Sequence, residues 1–196
     1  MSLKIWLTGN GNMNNQGTLG ELTQVTAPTY VDGKMGKAFT SAAYSMTAEQ
    51  TADVFNNNGF TIAFWVYVNA AEGAVPSDSS NTMMLFGNSG TDGTLSSARR
   101  SSVLTYPTVN DLHWWWFFND TTSGYYGATL SGVLPSYTWT HVVMQHTGSE
   151  MRVYINDELA LTKSFTMNIA SFAAETRVLY ARSDLYINDL RVYIHC

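Results

Sequence analysis

An internal disulfide is excluded in this 196-residue chain, because its single cysteine is Cys196 at the very end. A cysteine-built metal centre falls with it, since zinc and iron–sulfur sites draw on several thiolates. Charge is scarce as well. Asp, Glu, Lys and Arg make up 13% of the residues, where about a quarter is usual. The formal net charge is -5, and the few basic residues are scattered apart from Arg99-Arg100, so the basic patch that nucleic acid requires is missing. No apolar run approaches the roughly 18 residues that would cross a bilayer as a helix. Met1-Ser2-Leu3-Lys4-Ile5-Trp6-Leu7 lacks the apolar stretch of a secretory leader, and the expectation is synthesis without one.

With so few charges, Asn, Ser, Thr and Gly must carry solubility, and these are the residues that make turns. Helical periodicity is confined to residues 47–55, where Thr47 and Gln50 are spaced as a capping box. That stretch covers barely two turns and equally fits an irregular loop. Strand patterns dominate. In Phe60–Val68, Phe60, Ile62, Phe64, Val66 and Val68 share one face, and Thr61, Ala63, Trp65 and Tyr67 share the other. The first set is core, the second a half-exposed sheet face. Asn56-Asn57-Asn58-Gly59 leads in as a turn.

A hairpin follows over residues 139–163, with Val142 and Met144 alternating against His141, Val143 and Gln145. Met151, Val153 and Ile155 run back, and Asn156-Asp157 makes the next turn. Weaker strands are expected at 3–7, 37–44, 82–86, 103–106, 112–118, 177–180 and 185–193. Residues 69–81 and 87–102 read as long loops. About a dozen short strands at this spacing predict an all-β, two-sheet jelly-roll sandwich spanning 1–196 as one domain.

Four blocks then resemble one family. Trp139-Thr140-His141-Val142-Val143-Met144 with Met151-Arg152-Val153-Tyr154-Ile155-Asn156-Asp157 resembles the central hairpin of concanavalin A-like, laminin G-like domains. Phe60-Thr61-Ile62-Ala63-Phe64-Trp65-Val66, Leu185-Tyr186-Ile187-Asn188-Asp189-Leu190-Arg191-Val192-Tyr193 and Gly33-Lys34-Met35-Gly36-Lys37-Ala38-Phe39 are similar to other strands of that family, in the same order. The opening Leu3-Lys4-Ile5-Trp6-Leu7 with Asn14-Asn15-Gln16-Gly17 resembles members carried by phage and prophage virions. The resemblance implies a virion or extracellular surface setting, with a cytoplasmic one as the alternative. It also implies a structural calcium held by Asp189, with Asp32 and loop carbonyls as further oxygen donors; no other cofactor is required. Thr40-Ser41 stands where many members carry Phe-Asp-Gly, so one family aspartate is absent.

Candidate ligand residues are the aromatics with polar neighbours. Along Leu112-His113-Trp114-Trp115-Trp116-Phe117-Phe118, Trp114, Trp116 and Phe118 share one face and His113, Trp115 and Phe117 the other. Two aromatic faces exceed what one core explains. One set either contacts a sugar, whose C–H faces stack on aromatic rings, or packs under a loop or against another subunit. Trp65, Tyr67 and Tyr154 join Trp115 as a candidate platform, with His113, Arg99 and Arg100 beside it. Asp111, Tyr125 and Tyr126 read as rim-loop residues.

Catalysis finds little support. Glycosidases need two carboxylates flanking one bond, and Glu21, Glu49, Glu72, Glu150, Glu158 and Glu175 form no such pair. His113, His141, His146 and His195 show no metalloprotease spacing, and no nucleophile elbow or phosphate loop occurs. The expectation is a non-catalytic carbohydrate-binding or adhesion module of a phage virion or surface assembly. A purely structural decoration module binding virion or surface proteins, with homo-oligomer formation as its corollary, is the alternative, and a glycan-degrading enzyme the second.

Overall fold

The computed structural model describes residues 1–10, 14–55, 58–74, 84–88, 101–104, 108, 110–117, 125–164, 176–180 and 184–195. Its strands are β1 (Ser2–Leu7), β2 (Thr23–Asp32), β3 (Lys37–Met46), β4 (Phe60–Val68), β5 (Met84–Asn88), β6 (Ser101–Leu104) and β7 (Leu112–Phe117). After these come β8 (Tyr125–Leu130), β9 (Trp139–His146), β10 (Glu150–Ile155), β11 (Glu158–Ser164), β12 (Thr176–Tyr180) and β13 (Leu185–Ile194). Among the described residues one helix, α1 (Ala48–Val54), sits between β3 and β4.

The strand ladders are antiparallel and follow the order β11-β10-β9-β4-β13-β3-β12-β5, with β1 on β13 and β2 on β3. β13 divides this path. On one edge it pairs β4 along its length; on the other, β1 takes residues 190–194 and β3 meets it at Ile187↔Phe39. One layer is therefore β1-β13-β4-β9-β10-β11, and β2-β3-β12-β5 continues into the second. β6, β7 and β8 form a three-stranded sheet. Buried side chains of both layers, among them Ile5, Phe39, Met46, Phe64, Val142, Val153 and Ile187, join in one apolar cluster. This is a β-sandwich, as the alternation predicts.

Local chemistry explains the joints. Thr47 accepts a hydrogen bond from the Gln50 amide at 3.2 Å, and the Gln50 side chain accepts one from the Thr47 amide at 3.0 Å, so the capping box forms and the 47–55 ambiguity resolves to helix. Gly59 enters β4 at φ 100°, where a Cβ would collide with the His146 carbonyl. Asn156 and Asp157, at φ 49° and 69°, make the tight turn between β10 and β11, as a two-residue hairpin loop of right twist demands.

Two strands escape the sequence reading. β2 is exposed along most of its length, carries Pro28 and breaks register repeatedly against β3, so it shows no alternation. β8 holds Tyr125 and Tyr126, which are strand rather than rim-loop residues. Gly87, Ser101 and Ser102 likewise lie in strands, not loop. β13 carries a bulge: Asn188 pairs Trp65 and Arg191 pairs Ala63, so three steps on β13 match two on β4. Asp189, at φ 54°, is the extra residue. The bulge re-phases the strand, turning Leu185 and Ile187 before it, and Leu190 and Val192 after it, toward the core.

Candidate functional site

The outward face of the β1-β13-β4-β9-β10-β11 layer collects the candidate side chains. Because β4, β9 and β10 bury one face each, every second residue is left on the other. Register then sorts these residues into rows running across the strands.

The first row is Tyr186–Tyr67–Trp139, on β13, β4 and β9. The Tyr67 and Tyr186 rings stack at 5.4 Å, and Tyr67 meets Trp139 at 5.3 Å. Tyr137, two residues before Trp139, is 58% exposed. Its backbone N–H donates to the Val68 carbonyl.

The second row is Trp65 and His141, stacked at 4.9 Å. Lys34 lies over the Trp65 ring at 5.1 Å, a cation–π contact. Lys34 belongs to the β2–β3 turn, which buried Asn188 of β13 pins through Met35 N–H, Met35 O and Lys37 O. His141 approaches from β9 and Lys34 from the β13 side, so Trp65 offers no bare ring for stacking. His141 Nδ1 lies 3.4 Å from Asp157 Oδ1.

The third row spans the whole layer: Trp6, Arg191, Ala63, Val143, Tyr154 and Leu159, partner by partner. Bulk stands at its ends and two small side chains at its centre. Arg191 sits over the Trp6 ring at 5.0 Å, and Trp6 Nε1 donates to Asp189 Oδ1 at 2.7 Å. The fourth row is Tyr193, Thr61, Gln145 and Arg152.

The guanidiniums on this face are already paired. Arg152 meets Glu150 at 2.6 Å and Arg191 meets Asp189 at 2.9 Å. Asp189 and Glu150 belong to β13 and β10, three strand spacings apart, or about 14 Å. Carboxylates that cleave a glycosidic bond stand about 5–10 Å apart.

The predicted residues separate accordingly. Trp65, Tyr67 and Tyr154 share this face, and Trp139, Tyr186, Lys34, Ala63 and Val143 join them, all unforeseen as site residues. Trp115 and His113 lie on β7, whose neighbours are β6 and β8; Trp115 thus belongs to a different sheet from Trp65, and the side chains of Trp115 and His113 lie outside the described residues. Arg99 and Arg100 also lie outside them. Asp111 is buried and accepts from the Gly132 and Thr108 amides. Asp189 serves Trp6 and Arg191, while Asp32 pairs Lys37 at 2.6 Å. Among the described residues no group of three His, Cys, Asp or Glu side chains is placed to hold a metal.

Residues 39–193 match the concanavalin A-like lectin/glucanases superfamily. No curated protein matches the chain in sequence. Among solved structures it is similar to domain 4 of AbnA, a GH43 extracellular arabinanase from Geobacillus stearothermophilus solved with arabinotriose. The TM-score is 0.70 at 17% identity, covering 98% of this chain and 92% of that one. The binding domain of Paraclostridial Mosquitocidal Protein 1 superposes with a TM-score of 0.70 at 15% identity, covering 100% of this chain and 49% of that one. The binding domain of botulinum neurotoxin DC, solved with SialylT, gives 0.66 at 14% identity, covering 98% and 47%. The chain spans about half the length of the two toxin domains. At these identities the likeness is one of fold.

Proposed function

The chain belongs to the concanavalin A-like lectin/glucanases superfamily, and from that premise we propose that it is a non-catalytic glycan-binding module. The observation that carries this reading is the outward face of β4, β9 and β13, where Tyr186, Tyr67, Trp139, Trp65 and His141 gather half-exposed, with Gln145 and two Arg–carboxylate pairs beside them. Aromatic and aliphatic side chains suit the apolar faces of a sugar, and amide, guanidinium and carboxylate groups suit its hydroxyls.

The similar structures support the reading, since those of the arabinanase domain and the neurotoxin domain were solved with arabinotriose and SialylT. The separation of Asp189 from Glu150 supports binding without cleavage. We place the module on a phage virion or another extracellular surface assembly, on the ground of the resemblance of residues 3–17 to virion members. A glycan array tests the function: binding of the wild-type chain to at least one oligosaccharide, reduced tenfold or more by Trp65→Ala, is expected. Absence of wild-type binding across a broad array would overturn the proposal.

A further inference from the structure

We infer that the sugar is received at one place on that face, the dip over Ala63 and Val143, and that it is a neutral pyranose or furanose residue rather than an acidic one; this rests on the glycan-binding reading above. Ala63 and Val143 are cross-strand partners at the middle of a row whose other members are Trp6, Arg191, Tyr154 and Leu159. Both are only partly covered. The flanking rows rise on either side. Trp65 and His141 stand two residues away on one, and Thr61 and Gln145 stand two residues away on the other. At about 3.3 Å per residue the flanking rows are about 13 Å apart, so the small pair leaves a recess between Trp65 and His141 on one side and Gln145 on the other, shallow toward small, buried Thr61.

The alternatives on this face are filled. Trp65 is covered by His141 and Lys34, and Tyr67 is packed between Tyr186 and Trp139. A ring laid on either would have to displace a neighbour, whereas a sugar over Ala63 and Val143 displaces only water. Tyr154 bounds the recess on β10 and Arg191 bounds it on β13.

Charge sets the class. Arg191 is neutralised by Asp189 and Arg152 by Glu150, each from two residues earlier on its own strand. The recess is thus edged by ion pairs, which offer donor and acceptor together. That combination fits adjacent hydroxyls, each of which gives and takes a hydrogen bond. A carboxylate sugar would find no unpaired guanidinium here and would sit against Asp189 or Glu150, while the nearest ammonium, Lys34, is engaged over the Trp65 ring.

The test uses the full chain and immobilised arabinotriose, cellotriose, maltotriose and mannotriose, with trigalacturonate and sialyllactose as acidic probes. Ala63→Trp and Val143→Trp fill the recess, Tyr154→Ala opens its side, and Val25→Trp adds the same bulk at an exposed site on β2. Thermal melts confirm which variants are folded. The expected result is binding of at least one neutral probe, weakened at least tenfold by both filling variants and severalfold by Tyr154→Ala, with Val25→Trp within twofold of wild type. Folded filling variants that bind as wild type does would overturn the location while leaving the glycan-binding function standing. Binding confined to the acidic probes would overturn the class. Silence of the wild-type chain toward every probe and the broad array would defeat the function itself, and the inference with it.

Discussion

The two faces of β4 follow opposite rules. Inward, Phe60, Ile62, Phe64, Val66 and Val68 are all at most 2% exposed and contribute to one continuous cluster. Volume decides there, because a close-packed interior penalises both a lost and an added methylene. Outward, Thr61 and Ala63 are small and Trp65 and Tyr67 large, and the large ones stack on partners from β9 and β13 instead of filling space. The inner face builds the sandwich. The outer face gathers its aromatic bulk in two rows and leaves a recess beside them, so substitutions that act on stability and on binding fall on alternate residues of one strand.

The largest expected separation comes from Phe64→Ala. Removing this buried ring costs about 3–5 kcal/mol, read as a shift in the urea midpoint, whereas Ala63→Trp on the adjacent residue moves that midpoint little and weakens binding at least tenfold. Comparable midpoints for Phe64→Ala and wild type would break the contrast between the faces.

The next effect is pH dependence at the end of β9. His146 is fully buried, stacks on Phe60 at 5.7 Å, and accepts the Gly148 N–H on Nδ1. Burial, reinforced by His195, pushes its ring down to about 4 from 6.5. His195 is displaced in the same direction by its own burial and the chain's amino terminus. The folded state therefore binds a proton less readily than the unfolded chain. The contribution of His146 is intact above pH 6.5 and is lost as pH falls from there toward 4, on the order of 3 kcal/mol in all. Urea titrations of wild type and His146→Phe at pH 7.5 and pH 4 measure this. The variant should gain on wild type as pH falls, and a constant difference between them would contradict the burial argument.

A smaller effect sharpens the outer face. Trp6→Phe removes the indole N–H from Asp189 and leaves a half-buried carboxylate with Arg191 alone. A loss of about 1–2 kcal/mol is expected, with the β1–β13 amides exchanging faster. Unchanged exchange there would mean that the bulge at Asp189 holds itself.

What could be read from the residues alone follows the same division. Alternation found β4 at its observed bounds, Phe60–Val68, and the β9–β10 pair, because a strand with one buried face writes its pattern into every second residue. The capping box at Thr47 and Gln50 and the Asn156-Asp157 turn were legible for a similar reason, since each is a local hydrogen-bonding or φ requirement. β2 was not: its two faces are both largely exposed and Pro28 interrupts it. Of the site, Trp65, Tyr67 and Tyr154 were legible as outward residues. That Lys34 covers Trp65, that Ala63 faces Val143, and that Asp189 re-phases β13 are facts of register between strands far apart in the chain, which alternation within one strand does not carry.

The central claim is that ligand meets this protein over Ala63 and Val143. Amide chemical shifts recorded while a bound neutral trisaccharide is titrated test it most directly. The account predicts the largest changes at Ala63, Val143 and Tyr154, fading toward Tyr186 and β11. Saturable changes centred on β7, or on any surface away from the outward face of β4, would contradict it.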